Sequence, residues 1–152
     1  MRDGALLLVG NRYPNHADVL WNLPGGRQEY GELLAETLTR EVREETGLAI
    51  ALGELAYVSE SYDRSRATHF TNYTFRISAT GEARLVSGDA HVVAVEWVPL
   101  AQLASRFAVK VVREPLLAHL AGSQQRYWGY ADAGITIDFA DESPPQPPTS
   151  AN

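Results

Sequence analysis

The spacing of apolar residues changes several times along this chain, and each change marks an element. Ala5-Leu6-Leu7-Leu8-Val9 is an unbroken apolar run stopped by Gly10-Asn11, the pattern of a buried strand. Asp18 to Asn22 is a shorter extended piece, closed by Leu23-Pro24-Gly25-Gly26. Leu23 precedes a proline and is held extended by it, whereas the two glycines allow backbone angles that other residues resist. From Leu33 to Thr46 the chain is rich in Leu, Ala, Glu and Arg and has no Pro or Gly. Leu34, Leu38 and Val42 recur every four positions there, the buried stripe of a helix, and Gly47 stands where a left-handed stop is expected.

The middle of the chain changes character. Leu48 to Ser61, Thr68 to Ser78 and Val92 to Val98 carry the β-branched and aromatic residues of strands, with turns at Gly81 and Gly88-Asp89. Pro99 ends the third run, and Leu100 to Leu103 opens a short helical turn. Val109 to Leu120 reads as a second long helix with Val112, Leu116 and Leu120 on one face, and Pro115 inside it predicts a kink or a later start. An added strand is expected between Tyr127 and Phe139, and the proline-rich run from Pro144 leads to a disordered end. Strand, helix, several strands, helix is the order of an α/β (α+β) layered domain with a mixed sheet and helices on its faces. The domain spans 1–122, followed by an extension over 123–141 and a tail over 142–152.

Composition narrows the function classes. At 152 residues, 45% hydrophobic and 21% charged, the chain builds one core. The absence of cysteine excludes a disulfide framework, a thiolate zinc site and a cysteine nucleophile. No apolar run approaches the roughly 20 residues of a membrane span, and five apolar positions after Gly4 are too few for a signal peptide, so a cytoplasmic protein is expected. The net charge of −6 argues against nucleic-acid backbones and anionic membranes as partners. That charge is uneven. Residues 29–45 hold six glutamates and two arginines, a net of −4, and residues 127–152 hold four acids and no base, another −4. The rest of the chain sums to +2.

The first acidic island lies on the first helix. Glu41, Glu44 and Glu45 stand at i, i+3 and i+4, so at about 100° per residue their carboxylates share one face. On spacing alone that face is either a solvated surface or a site for a hard cation such as Mg²⁺, which takes oxygen ligands. The flanking residues add to this. Gly26-x5-Glu32-x7-Arg40-Glu41-Val42-x-Glu44-Glu45-x-Gly47-Leu48 matches every position of the Nudix box. Such a match arises by chance on the order of 10⁻⁷ times in a chain of this length.

The chain therefore resembles a Nudix hydrolase, over the 23 residues of the box and more weakly, in strand order and in Trp21-x-Leu23-Pro24-Gly25-Gly26, from about Gly4 to Gly122. The resemblance implies a Nudix-like α/β/α sandwich and a hydrolase acting on a phosphoric anhydride. It implies that Glu41, Glu44 and Glu45 bind Mg²⁺ or Mn²⁺, with one of them also serving as base. A backbone carbonyl of Gly25 or Gly26 joins them as a ligand. Arg40, one turn before the acids, orients a carboxylate by paired hydrogen bonds. Glu32 suits the positive end of the helix dipole and anchors the loop, and Gly47 ends the helix. The implied reaction is attack of water on a nucleoside diphosphate linked to a group X, releasing a nucleoside monophosphate and phospho-X. A (d)NTP or modified nucleotide is the first reading of the substrate. ADP-ribose or a nucleotide sugar is the second, and a nucleotide-binding module that does not cut is a third, from another class.

Outside the box the chain departs from its relatives. Many supply one more acid about six residues before a tryptophan, but counting back from Trp97 gives His91, with Asp89 two further back and Glu96 directly before the tryptophan. His91 is then either a base outside the helix or a surface histidine in a turn. Arg12 matches a basic residue that contacts substrate phosphate in some relatives. Arg27, Arg64, Arg66 and His69 are further candidates for the substrate mouth, with Tyr62 and Phe70 beside them. Trp21 and Tyr73 are expected in the core. Relatives also carry a strand before the first one here, which only four residues precede. Either the start is late, or the sheet edge is completed by a partner chain, as in a homodimer, or by residues 127–139.

Overall fold

The computed structural model describes residues 1–64, 66–86 and 91–138. Its elements run β1 (Ala5–Asn11), β2 (Leu20–Asn22), α1 (Leu34–Thr46), β3 (Ala49–Asp63), β4 (Thr68–Thr80), β5 (Val92–Pro99), α2 (Leu103–Arg106), α3 (Lys110–Leu120) and β6 (Tyr127–Tyr130). A 3₁₀ turn over Leu100–Gln102 leads into α2. The strands form two three-stranded sheets, ordered β2-β1-β5 and β4-β3-β6. All pairs are antiparallel except β3 with β6, which makes the second sheet mixed.

Alternation along β1 builds the layers. Leu8 faces one core with Ala56, Tyr57, Val98, Phe107 and Leu116, against which α3 packs. Leu7, one residue away, faces the other core with Val42 of α1 and Leu48. Successive strand side chains point to opposite faces, so an apolar run without alternation fills both sides at once. Each large side chain so buried contributes roughly 1.5–3 kcal/mol. The result is a sheet layer between α1 and α3.

Several sequence expectations meet their physical answer here. The helix predicted from Leu33 begins at Leu34, with Leu33 as its cap residue, and Gly47 ends it at φ 72° with its N–H on the Arg43 carbonyl. α3 starts at Lys110 and runs through Pro115, so the later start does not occur. Pro115 is fully buried, and it lacks the N–H that would reach Val111, so packing of Leu116 and its neighbours holds the turn instead. The edge that Tyr127–Tyr130 covers is that of β3, because β1 is already flanked by β2 and β5. Tyr73 is not core: it lies on β4 opposite Val58 and is 48% exposed, because β4 is an outer strand of its sheet. Trp21 does pack against the α3-side core, with the Arg106 guanidinium 4.8 Å over its ring. Asp89, the Gly88-Asp89 turn and the 142–152 tail lie outside the described residues. Among the described residues no helix is long and apolar enough to cross a membrane.

Candidate active site

The loop Leu23 to Leu33 lies against one side of α1, and Arg40 is where the two meet. Its Nε and Nη2 donate to the two oxygens of Glu32 at 2.7 and 3.0 Å. Its Nη1 donates to Glu41 Oε1 at 2.8 Å and to Glu44 Oε2 at 3.3 Å. Nη2 also donates to the Arg27 carbonyl at 3.2 Å. One planar guanidinium thus binds the loop backbone, the loop carboxylate and two helix carboxylates, a task that needs its five donors and fixed fork.

Glu32 is held from three further points. The Thr37 hydroxyl and the Glu29 N–H donate to its Oε2 at 2.8 and 3.1 Å, and Gln28 Nε2 donates to its carbonyl at 2.5 Å. The Arg40 hydrogen bond, then the Glu29 N–H, hold its carboxyl down at about 2. Glu32 in turn raises the Arg40 guanidinium above its ordinary value. Thr37 is a supporting residue that the sequence did not single out. In the sequence its only mark is a hydroxyl residue five positions past a box glutamate, and its burial shows only in the fold.

The two glycines are positioned by contact with carboxylates. Gly25 has φ 143°, and its N–H donates to Glu45 Oε2 at 2.8 Å. Glu45 itself is 4% exposed. At Gly26 a Cβ would stand 2.4 Å from the carboxyl carbon of Glu41, closer than any real contact. Only glycine lets the loop backbone lie this near the helix acids.

The donor set suits a hard cation: three carboxylates within about one helical turn, two of them directly under loop backbone, and no sulfur or imidazole in the group. As placed, no three His, Asp or Glu side chains among the described residues are close enough to hold one ion. Glu44, with its side chain 56% exposed, turns outward toward Arg40, while Glu41 is 15% exposed and Glu45 lies beneath the loop.

The remaining candidates are spread over several segments. The Arg12 N–H donates to the His91 carbonyl at 2.9 Å, and His91 stacks on Tyr13 with ring centroids 5.9 Å apart. Tyr62 and His69 face each other across the β3–β4 hairpin, rings 4.5 Å apart, beside exposed Arg64. Arg27 contributes its carbonyl to Arg40, and its residue is exposed. Arg66 reaches across to the segment after β6. It donates to Asp138 Oδ1 at 2.5 Å. Glu96 is paired with Arg106 at 3.1 Å, which leaves it with a surface partner.

Comparison with known proteins places this geometry among relatives. The family model described as NUDIX domain matches residues 1–120. The chain is 34% identical over 113 residues to a Mycobacterium tuberculosis protein named as mutator protein MutT4, covering 70% of this chain and 44% of that one. It is 35% identical over 88 residues to an ADP-ribose pyrophosphatase of Methanocaldococcus jannaschii, covering 58% and 51%. The chain spans about half the length of these curated relatives. Among solved structures, a NUDIX hydrolase from Nitrosomonas europaea superposes with a TM-score of 0.69 at 24% identity, over 83% of this chain and 85% of that one.

Proposed function

The chain belongs to the Nudix hydrolase family, and from that membership we propose that it is a divalent-cation-dependent pyrophosphohydrolase acting on a nucleoside diphosphate linked to X, with a (d)NTP or modified nucleotide as substrate. The observation that carries the reading is the Arg40 network. Glu41, Glu44 and Glu45 sit within about one turn of one another, and Arg40 neutralises only part of their charge. Like charges this close oppose helix formation. A module that only holds a nucleotide has no chemical need for them, which favours an enzyme over a binding module.

Glu41, Glu44 and Glu45, with a carbonyl of Gly25 or Gly26, would hold Mg²⁺ or Mn²⁺. When bound, such a cation supplies charge neutralisation on the phosphate oxygens and lowers the pKa of water. The chain's own residues do the rest. Arg40 and Glu32 keep the loop and helix acids in register. One of the three glutamates accepts the proton of the attacking water. Arg12, Arg27 and Arg64 offer forks to phosphate, and Tyr62 offers a ring to the base. Water adds to phosphorus, the anhydride P–O bond breaks, and a nucleoside monophosphate and phospho-X leave.

The match to a protein named as a mutator protein favours the (d)NTP reading. The match to an ADP-ribose pyrophosphatase favours ADP-ribose or a nucleotide sugar as the second. A substrate panel with Mg²⁺ and Mn²⁺, scored for phosphate, pyrophosphate and nucleoside monophosphate, tests both. Pyrophosphate from (d)NTPs supports the first reading and AMP from ADP-ribose the second. Nucleotide binding without turnover under either metal overturns both.

A further inference from the structure

The segment after β6 crosses from one sheet to the other. Along 133–138 the exposure alternates: Ala133, Ile135 and Ile137 are partly buried, and Gly134, Thr136 and Asp138 are exposed. The segment bends at Gly134, where φ is 72°, and keeps an apolar underside on both sides of the bend. It is tied down at Thr136 and Asp138. Asn15, on the loop between β1 and β2, donates from Nδ2 to the Thr136 carbonyl at 2.8 Å and accepts the Asp138 N–H at 3.0 Å. His16 Nε2 reaches the same carbonyl at 2.8 Å, and since a carbonyl only accepts, that nitrogen carries the proton. Arg66, at the tip of the β3–β4 hairpin, donates to the Asp138 carboxylate at 2.5 Å.

The two anchored segments belong to different sheets, since β1 and β2 lie in one and β3 and β4 in the other. They also carry the candidates for substrate contact. Arg12 is three residues from Asn15, and Tyr62 and Arg64 are four and two residues from Arg66. We infer that residues 132–138 strap the two walls of the substrate mouth together, and that Asp138 and Asn15 are positioning residues whose contacts admit a compact X, such as phosphate or pyrophosphate, and exclude a bulky one, such as a sugar or second nucleoside. The inference rests on the pyrophosphohydrolase reading. A cleft whose walls are pinned discriminates by size, because a larger group must break the pins to enter.

The test uses the full chain with Asp138→Ala, Asn15→Ala and the conservative Asp138→Glu. Amide hydrogen exchange on the free protein first establishes that 132–138 loosens in the two alanine variants. Steady-state kinetics on a dNTP and on ADP-ribose follow. The expected result is a dNTP KM raised about tenfold, the size of one lost charged hydrogen bond. The kcat stays within about twofold, the ratio of kcat/KM for ADP-ribose over dNTP rises about tenfold, and Asp138→Glu reverses the shift. An unchanged ratio in both alanine variants with a loosened strap overturns the inference. So does a strap whose exchange is the same in all forms. Absence of turnover on any nucleotide strikes the hydrolase reading instead. The strap is then decided by calorimetry with the α,β-methylene analogues of the two compounds. A shifted affinity ratio supports it, and an unchanged ratio or no binding at all overturns it.

Discussion

Arg40 grips Glu32 with two near-parallel hydrogen bonds, Nε to Oε1 at 2.7 Å and Nη2 to Oε2 at 3.0 Å, and spends its remaining nitrogen on Glu41 and Glu44. The helix acids are therefore positioned from the loop through one side chain. Arg40→Lys keeps the charge and loses the fork. The expected outcome is a fall in kcat/KM of about 10–100-fold, the range for losing a group that orients metal ligands. The Mg²⁺ concentration for half-maximal rate should rise with it. A lysine variant with wild-type kinetics and wild-type metal response would show that the fork has no positioning role.

Glu32 should also leave a signature in acid. Its folded value of about 2 lies below the ordinary 4.5, because Arg40, the Glu29 N–H and Thr37 all favour the charged form. The unfolded chain therefore takes up this proton first, and protonation favours unfolding. The stabilisation is whole above about pH 4.5 and is lost as the pH falls toward about 2. The Tm difference between wild type and Glu32→Gln should accordingly shrink across that window and be constant above it. A difference that stays the same from pH 5 to pH 2, or an NMR titration of Glu32 near 4.5, contradicts the depressed value.

The two glycines of the loop should fail in different ways. At Gly26 an added Cβ meets only the carboxyl end of Glu41, a flexible group that can swing away. Gly26→Ala is expected to fold with a near-normal Tm while needing about tenfold more metal, since a ligand has been displaced. At Gly25, φ is 143° and a Cβ would find ordinary contact with Leu38 at 3.6 Å, so the cost is in the backbone. Gly25→Ala should lose about 1–3 kcal/mol of stability in denaturant titration. Equal Tm losses in both variants would refute this division.

The box was legible because its residues depend on one another locally. Gly26, Glu32, Arg40 and the three helix acids lie within 20 residues; helical periodicity puts the three acids on one face, and a short loop brings Gly26 and Glu32 back to it. The two layers were legible from the apolar runs for a similar reason, since Leu7 and Leu8 must face opposite ways. What stayed hidden depends on long-range pairing. Nothing local to Asn15 or Arg66 announces Thr136 and Asp138, more than 70 residues away in each case. Tyr73 reads as core because an outer strand and an inner strand share a composition, and only the sheet order separates them. Pro115 reads as a kink or a late start because the cost of one missing hydrogen bond is visible in sequence and the burial that offsets it is not.

The decisive prediction concerns the helix acids themselves. Glu45 is buried and accepts the Gly25 N–H, so a glutamine there can keep the hydrogen bond through its amide oxygen while losing the charge. Glu44 is more exposed and touches only Arg40 among the contacts described, so its glutamine variant should fold without difficulty. Each substitution is expected to lower turnover by at least about 10²-fold, the effect of removing one key electrostatic group from a reacting centre. The fold is checked by Tm and the metal by Mn²⁺ binding in electron paramagnetic resonance. Weakened Mn²⁺ binding together with lost turnover assigns the loss to the cation. Lost turnover with undiminished Mn²⁺ binding assigns it to the proton transfer instead. Near-normal turnover in both variants would remove the acidic face of α1 from the chemistry.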